Sequence, residues 1–212
     1  MKGRFWLAVL SMFVLLVTTG GLAAAQGTQE KAQEKPAGGA PQMSPEEMQA
    51  MVAAATPGEA HKRMAQMAGN WTYTMTMWMA PGQPPMETTG TIESSMVLGG
   101  RYLQSTYKGN IMGQPFEGRG TDAWDNVSKE YIGTWMDNMG TGIMVTRGKC
   151  DDPACKKMTA TGEMNDPMTG GPVKVKMVTT HIDKDNFKFE MFMDHGEHGE
   201  MKTMEVNAKR KA

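Results

Sequence analysis

The sequence predicts an all-β protein, an antiparallel up-and-down β-barrel of about ten strands preceded by two short N-terminal helices. From Trp71 onward apolar residues recur at every second position, whereas before Gly69 they recur at helical spacing. About ten such segments follow one another at the ~8–12-residue spacing typical of β-sandwiches and barrels. No helical interval of crossover length follows Gly69, which excludes a parallel sheet. A closed barrel is favoured over an open meander because closure removes exposed strand edges.

The first 25 residues have the organisation of a secretory signal peptide. Lys2 and Arg4 precede an apolar run, and Ala23-Ala24-Ala25 supplies the small residues that signal peptidase requires. The run is short for a permanent membrane anchor, although an uncleaved anchor is the alternative. We therefore expect cleavage after Ala25 and export as a periplasmic or secreted protein.

The charge balance argues against a nucleic-acid partner. Without Lys2 and Arg4, 20 basic residues remain against 23 acidic ones, so the mature chain carries a net charge of −3. A nucleic-acid-binding surface needs an excess of basic residues. No segment after the signal peptide is apolar enough to cross a membrane, and the oligomeric state cannot be read from the sequence.

Residues 26–42 and 43–68 predict a disordered linker and the two short helices. The linker has no aliphatic residue larger than Ala and is rich in Gln, Glu, Lys, Gly and Pro, so it cannot bury enough apolar surface to order itself. Ser44-Pro45-Glu46-Glu47 is a helix start with an N-cap Ser, an early Pro and a Glu at the third position. Thr56-Pro57-Gly58-Glu59 repeats this signal, and Gly69 ends the second helix.

The predicted barrel occupies residues 69–212. Its first strand places Trp71, Tyr73, Met75, Met77 and Met79 on one face. Pairs of turn-forming residues separate the later strands. They are Gly99-Gly100, Gly109-Asn110, Asp125-Asn126, Asp137-Asn138 and Asp185-Asn186.

The opening of the first strand carries a family resemblance. Gly69-Asn70-Trp71 resembles the Gly-x-Trp motif of lipocalins and related calycins, in which the Trp closes one end of the barrel. The resemblance implies that a basic residue near the last strand packs over this Trp as a cation–π contact, here Lys209 or Arg210. The sequence departs from nitrobindin-like haem barrels because no Gly-x-Trp-x-Gly-x-Gly follows Gly69, which makes haem a poorer expectation.

From Pro57 to Lys209 the chain resembles a bacterial lipocalin-like family catalogued as domain of unknown function 1579. The resemblance implies a calycin-type barrel and brings no assigned chemistry. The matching residues are Leu98-Gly99-Gly100-Arg101-Tyr102-Leu103, Gly113, Phe116, Gly118, Gly120, Trp124-Asp125, Lys129, Tyr131 and Trp135-Met136-Asp137.

The leading functional hypothesis is a binding protein that holds a small apolar ligand inside the barrel. Barrels of about eight strands have an interior able to hold one such molecule. One face of the strands combines aromatic and methionine side chains. The candidate ligand-binding residues are Trp71, Tyr73, Met75, Met77, Phe116, Trp124, Tyr131, Trp135, Phe189 and Met191.

Two cysteines, Cys150 and Cys155, flank the turn-forming segment Asp151-Asp152-Pro153-Ala154. In an oxidising compartment such a close pair is expected to form a disulfide. A redox-active pair usually has Cys-x-x-Cys spacing, and a metal site would need further ligands, so we interpret the pair as structural.

A second hypothesis is periplasmic binding of copper or zinc. His195, Glu197 and His198 concentrate nitrogen and oxygen ligands in one glycine-containing segment. The competing interpretation is a solvated hairpin loop. The mature chain also keeps 22 of 24 methionines and only two leucines, so thioethers are available for Cu⁺. Strand alternation favours Met as a core residue instead.

A third hypothesis is an enzyme that acts in the barrel cup, with Asp122 as its catalytic base. Alternation places Asp122 on the same face as Phe116 and Trp124. A buried carboxylate there requires a partner, Arg101, Arg119 or Arg147, or a raised pKa. The sequence contains no nucleophile elbow, phosphate loop or Ser/His/Asp pattern.

Overall fold

The computed structural model describes residues 43–80, 82–167, 170–194, 196 and 199–212. The expected signal peptide, residues 1–25, and the expected linker, residues 26–42, lie outside these ranges. So do His195, Glu197 and His198.

Ten antiparallel strands form one closed barrel, which confirms the predicted architecture. Each strand pairs with its neighbours along the chain, and the first pairs with the last. The strands are β1 Gly69–Met77, β2 Met86–Val97, β3 Tyr102–Ile111, β4 Gln114–Asp125, β5 Glu130–Asp137, β6 Met144–Cys150, β7 Lys157–Asp166, β8 Gly171–His181, β9 Asn186–Asp194 and β10 Glu200–Arg210.

The N-terminal helical region is in two pieces, α1 Pro45–Ala55 and α2 Glu59–Ala65. The first begins as the sequence predicts, because Ser44 and Glu47 form a reciprocal capping box. The predicted second start is wrong in detail. The Thr56 hydroxyl donates back to the Val52 carbonyl and ends α1, while Gly58 begins α2 and donates its N–H to His61 Nδ1 at 3.0 Å.

The two helical pieces differ in how they contact the barrel. The predicted apolar stripe of α1 is exposed, so it adds nothing to the core. In α2, Ala60 and Met64 are buried against Leu103 and Tyr131 at one end of the barrel. We call this the closed end, and α2 covers it. The opposite end, where β1 leads into β2 and β5 into β6, we call the mouth.

A hydrogen-bonded contact at the closed end joins the first strand to the last. The Arg210 guanidinium lies 4.0 Å from the Trp71 ring centroid, so the expected cation–π contact is confirmed for Arg210, whereas Lys209 is exposed. Arg210 also donates to the carbonyls of Ala68 at 2.7 Å and Gln66 at 2.6 Å. We call this set of contacts the Arg210 clasp. It ties α2 and β1 to the end of β10.

Gly109 and Asn110 do not form the predicted turn. They lie inside β3, and the turn falls at Met112 and Gly113, which both have positive φ. Gly109 is needed in the strand because a Cβ there would lie 2.6 Å from the Tyr73 hydroxyl. A glycine inside a strand pattern can therefore mark close packing instead of a turn.

The loops at the closed end are held by local contacts. Cys150 and Cys155 form the predicted disulfide across the β6–β7 connection. Asp125 accepts hydrogen bonds from the Val127 N–H and the Ser128 hydroxyl, as its predicted turn role requires.

Replacing Arg210 by Ala should remove both carbonyl contacts and the stacking on Trp71. We expect a loss of about 2 kcal/mol in the free energy of unfolding, since hydrogen bonds from a charged group contribute roughly 1.5–3 kcal/mol and Arg210 is only partly buried. Arg210→Lys should lose roughly half as much because it keeps the charge but not the planar fork. Urea denaturation measures both effects. Lys209→Ala is the control. If Arg210→Ala lowers the free energy of unfolding no more than Lys209→Ala does, the Arg210 clasp does not stabilise the barrel.

Candidate functional site

The inward faces of the ten strands enclose the candidate site. The strand register places all ten predicted ligand-binding residues on this inward face. They are not equivalent in their surroundings. Trp71, Tyr73, Met75, Met77, Phe116 and Tyr131 are buried. The first four of these pack with Phe187 and Val206 into one core cluster.

The other four predicted residues are less completely buried. Trp124, Trp135, Phe189 and Met191 point inward and are nevertheless only partly buried. An inward side chain keeps accessible surface where its neighbours leave room beside it or where it lies near an end of the barrel. We call this part of the interior, bordered by β4, β5, β8 and β9, the cup.

Sequence reasoning missed several side chains that face the same interior. Met177 and Thr179 on β8 pair with Met191 and Phe189 and are also partly exposed. Tyr107 on β3 faces inward beside Tyr73. The alternation of Leu103, Ser105 and Tyr107 was the available signal, and it was weak because a serine interrupts the apolar pattern.

Three aromatic rings form a wall from the core towards the mouth. The centroids of Tyr107 and Trp135 are 5.0 Å apart in an edge-on arrangement, and Trp135 stacks on Phe116 at 6.5 Å. Trp135 lies flat over Gly118, where any Cβ would meet its ring at 2.4 Å. Its indole N–H donates to Asp137 at 2.8 Å, which fixes the ring.

Asp122 points into the cup, as the alternation predicts. It pairs with Leu103 on one side and Gly133 on the other, and it keeps partial exposure. Burial raises the pKa of its carboxyl to about 6. Burial also raises the pKa of Tyr107, with further contributions from the charge of Asp122 and from Tyr73.

None of the three arginines considered as partners reaches Asp122. Arg101 donates to the Leu98 and Ala55 carbonyls, Arg119 pairs with Glu117, and Arg147 lies 4.0 Å from Glu130. Within the described ranges, Asp122 takes part in no ion pair. The alternative to an arginine partner was a raised pKa, and the burial of Asp122 without a cation agrees with that alternative.

Two further features of the described residues bear on the metal hypothesis and on the site's position. Outside the undescribed His195, Glu197 and His198, no group of three His, Cys, Asp or Glu side chains in the described ranges is arranged to hold a metal ion. A depression of about 710 Å³, bordered by Lys174, Lys176 and other residues, lies on the outer wall and is separate from the cup.

Within the described residues, no helix has the length and apolarity needed to span a membrane.

Comparisons with known proteins support the fold. The sequence profile of a family described as protein of unknown function (DUF1579) matches residues 56–210. The crystal structure of Rv2717c from M. tuberculosis is similar, with a TM-score of 0.53, 15% identity and coverage of 74% of this chain and 100% of that one. The S-type phycobiliprotein lyase CPES from Guillardia theta gives a TM-score of 0.51 and 8% identity, over 76% of this chain and 97% of that one. No curated protein matches the sequence.

The raised pKa of Asp122 gives the stability a specific pH dependence. A carboxyl whose pKa is raised from 3.8 to about 6 favours the folded state below pH 3.8, and this contribution is lost as the pH rises to 6. Asp122→Asn should therefore become more stable than the parent between pH 4 and pH 7, by up to about 3 kcal/mol. Urea denaturation at a series of pH values measures this difference.

Asp125→Asn is the matched control with the opposite sign. Hydrogen bonds from Val127 and Ser128 lower the pKa of Asp125, so its contribution is present at neutral pH and is lost in acid. A difference between Asp122→Asn and the parent that stays constant from pH 4 to pH 7 would contradict the assignment.

Proposed function

The chain belongs to the family described as protein of unknown function (DUF1579), and we propose that its barrel binds a small, largely apolar molecule in the cup. One observation carries the proposal: Trp135, Phe189 and Met191 face inward and remain partly exposed. A fully packed interior would bury them, as it buries Trp71 and Met75.

The chemistry of the cup favours an apolar ligand. Its walls are rings and thioethers, which supply contact area without directional bonds, and Met side chains adapt to ligands of different shape. A small number of polar groups among many apolar ones is the usual composition of a binding pocket. Here Asp122 is such a group. It is also the candidate base of the enzyme hypothesis, but among the described residues no hydrogen bond links it to a second titratable side chain, so the geometry favours binding.

We further propose that the barrel works outside the cytoplasm, after cleavage at Ala25. The Cys150–Cys155 disulfide supports this location because such bonds persist in oxidising compartments. N-terminal sequencing of protein isolated from its producing cell would identify the mature end.

Titration with N-phenyl-1-naphthylamine, a neutral apolar dye whose fluorescence rises in apolar surroundings, tests the proposed binding. Met191→Trp should fill the cup and weaken binding at least tenfold, because the larger ring occupies the ligand's space. Phe192→Trp changes the next residue of the same strand, which pairs with Lys202 and lies under the Lys176 ammonium. This outward control should bind within twofold of the parent.

The two variants give a clear decision. Absence of dye binding to the parent protein, or equal binding by parent, Met191→Trp and Phe192→Trp, would overturn the proposed function. Circular dichroism confirms that each variant is folded before its titration.

A further inference from the structure

The cup contains an anionic group with no cationic partner near it. Along the inward faces of the described strands the carboxylates are Asp122, Asp137 and Asp166, and no lysine faces inward. Asp137 and Asp166 end their strands at the mouth, whereas Asp122 lies deeper. Arg210 is the inward cation of these strands, and it is held at the closed end over Trp71 and beside Asp185 at 3.4 Å.

A free hydroxyl lies close to the deep carboxylate. A Cβ built on Gly133 would lie 2.8 Å from Thr146 Oγ1 and 3.3 Å from Asp122 Oδ1. The two oxygens therefore lie on the same side of the Gly133 Cα, on the same part of the inward face, and leave no room for a larger side chain at that residue. Thr146 is only 6% exposed, and among the described residues its hydroxyl has no hydrogen-bond partner. Among the described residues, the fully buried side-chain oxygen without a partner is the Tyr73 hydroxyl, so the unbonded Thr146 oxygen keeps some accessible surface and can accept a hydrogen bond from a bound group.

Aromatic residues occupy the neighbouring inward positions of the same strands. Trp124 and Trp135 follow Asp122 and Gly133 at two-residue steps on the inward face, and Tyr131 packs edge-on against Trp124 at 4.8 Å. The faces of such rings attract cations, most strongly where water is excluded.

We propose that the ligand of the cup is a small apolar amine whose ammonium group pairs with Asp122 and donates to the Thr146 hydroxyl. This inference rests on the proposed function and names the ligand's chemical class. An ammonium neutralises the buried carboxylate, satisfies the hydroxyl and meets the aromatic faces at once. A fatty acid or another carboxylate would bring a second negative charge beside Asp122 and is disfavoured.

The amine should lose affinity in acid because only the ionised carboxylate attracts it. With Asp122 half protonated near pH 6, affinity at pH 5 should be roughly tenfold lower than at pH 7.5. The other titratable groups on the inward face are Tyr73, Tyr107, Tyr131, Asp137, Asp166 and His181. Burial lowers the pKa of His181 below its ordinary value, which favours the neutral imidazole.

Isothermal titration calorimetry with three ligands that share a phenyl group on a four-carbon chain tests the inference. The ligands are 4-phenylbutylamine, 4-phenylbutanol and 4-phenylbutyrate, which differ only in the head group. At pH 7.5 the amine should bind at least tenfold more tightly than the alcohol, and the carboxylate should bind most weakly. Asp122→Asn should abolish the amine's advantage and leave the alcohol's affinity within twofold. Thr146→Val should weaken the amine severalfold.

Glu93→Gln is the charge-matched control, because it removes one exposed carboxylate from the outward face of β2. It should keep the amine's advantage. If the amine binds no more tightly than the alcohol, or if Asp122→Asn keeps the preference, the amine inference is wrong while binding in the cup stands. If none of the three ligands binds with a Kd below about 1 mM, the proposed function itself fails.

Discussion

Pairing of the first strand with the last is the constraint on which the rest of the structure depends. Once β1 and β10 are joined, every residue of the sheet faces either the interior or the outside, and a slip of one residue would exchange the two faces. The register of β10 shifts between Lys202 and Met204, so that both Met201 and Met204 pair with inward residues of β9. This β-bulge keeps both methionines of β10 on the inward face. The Arg210 clasp then fixes the closed end.

Most of the architecture was predictable because its signals are local and periodic. Alternation from Trp71 onward predicts the strands, and the short Cys150–Cys155 spacing predicts the disulfide. The inward position of Asp122 follows from the same alternation. These features need only the chain's own period and turn chemistry, which the sequence shows directly.

The remaining features depend on packing between distant segments, which no local pattern shows. Gly109 has the sequence context of a turn, yet the Tyr73 hydroxyl on another strand requires a glycine there. The start of α2 depends on His61, which replaces the expected Thr56 cap. The division of inward residues into a packed core around Trp71 and a cup around Trp135 depends on where distant side chains meet. Thr146 was missed for the same reason.

One part of the interior therefore stabilises the folded state by close packing, whereas the part around Asp122 lowers the free energy of unfolding. Trp71, Met75 and Val206 pack as an ordinary core, whereas Asp122 is buried without a cationic partner. Groups that reduce stability in this way concentrate at functional sites. Crystals grown with 4-bromophenethylamine test this account most directly, because anomalous scattering locates the bromine. The account predicts a bromine peak inside the barrel beside Trp135 and Met191, with the amine at Asp122. Bromine found only on the outer wall near Lys174 and Lys176, or no peak at all, would contradict it.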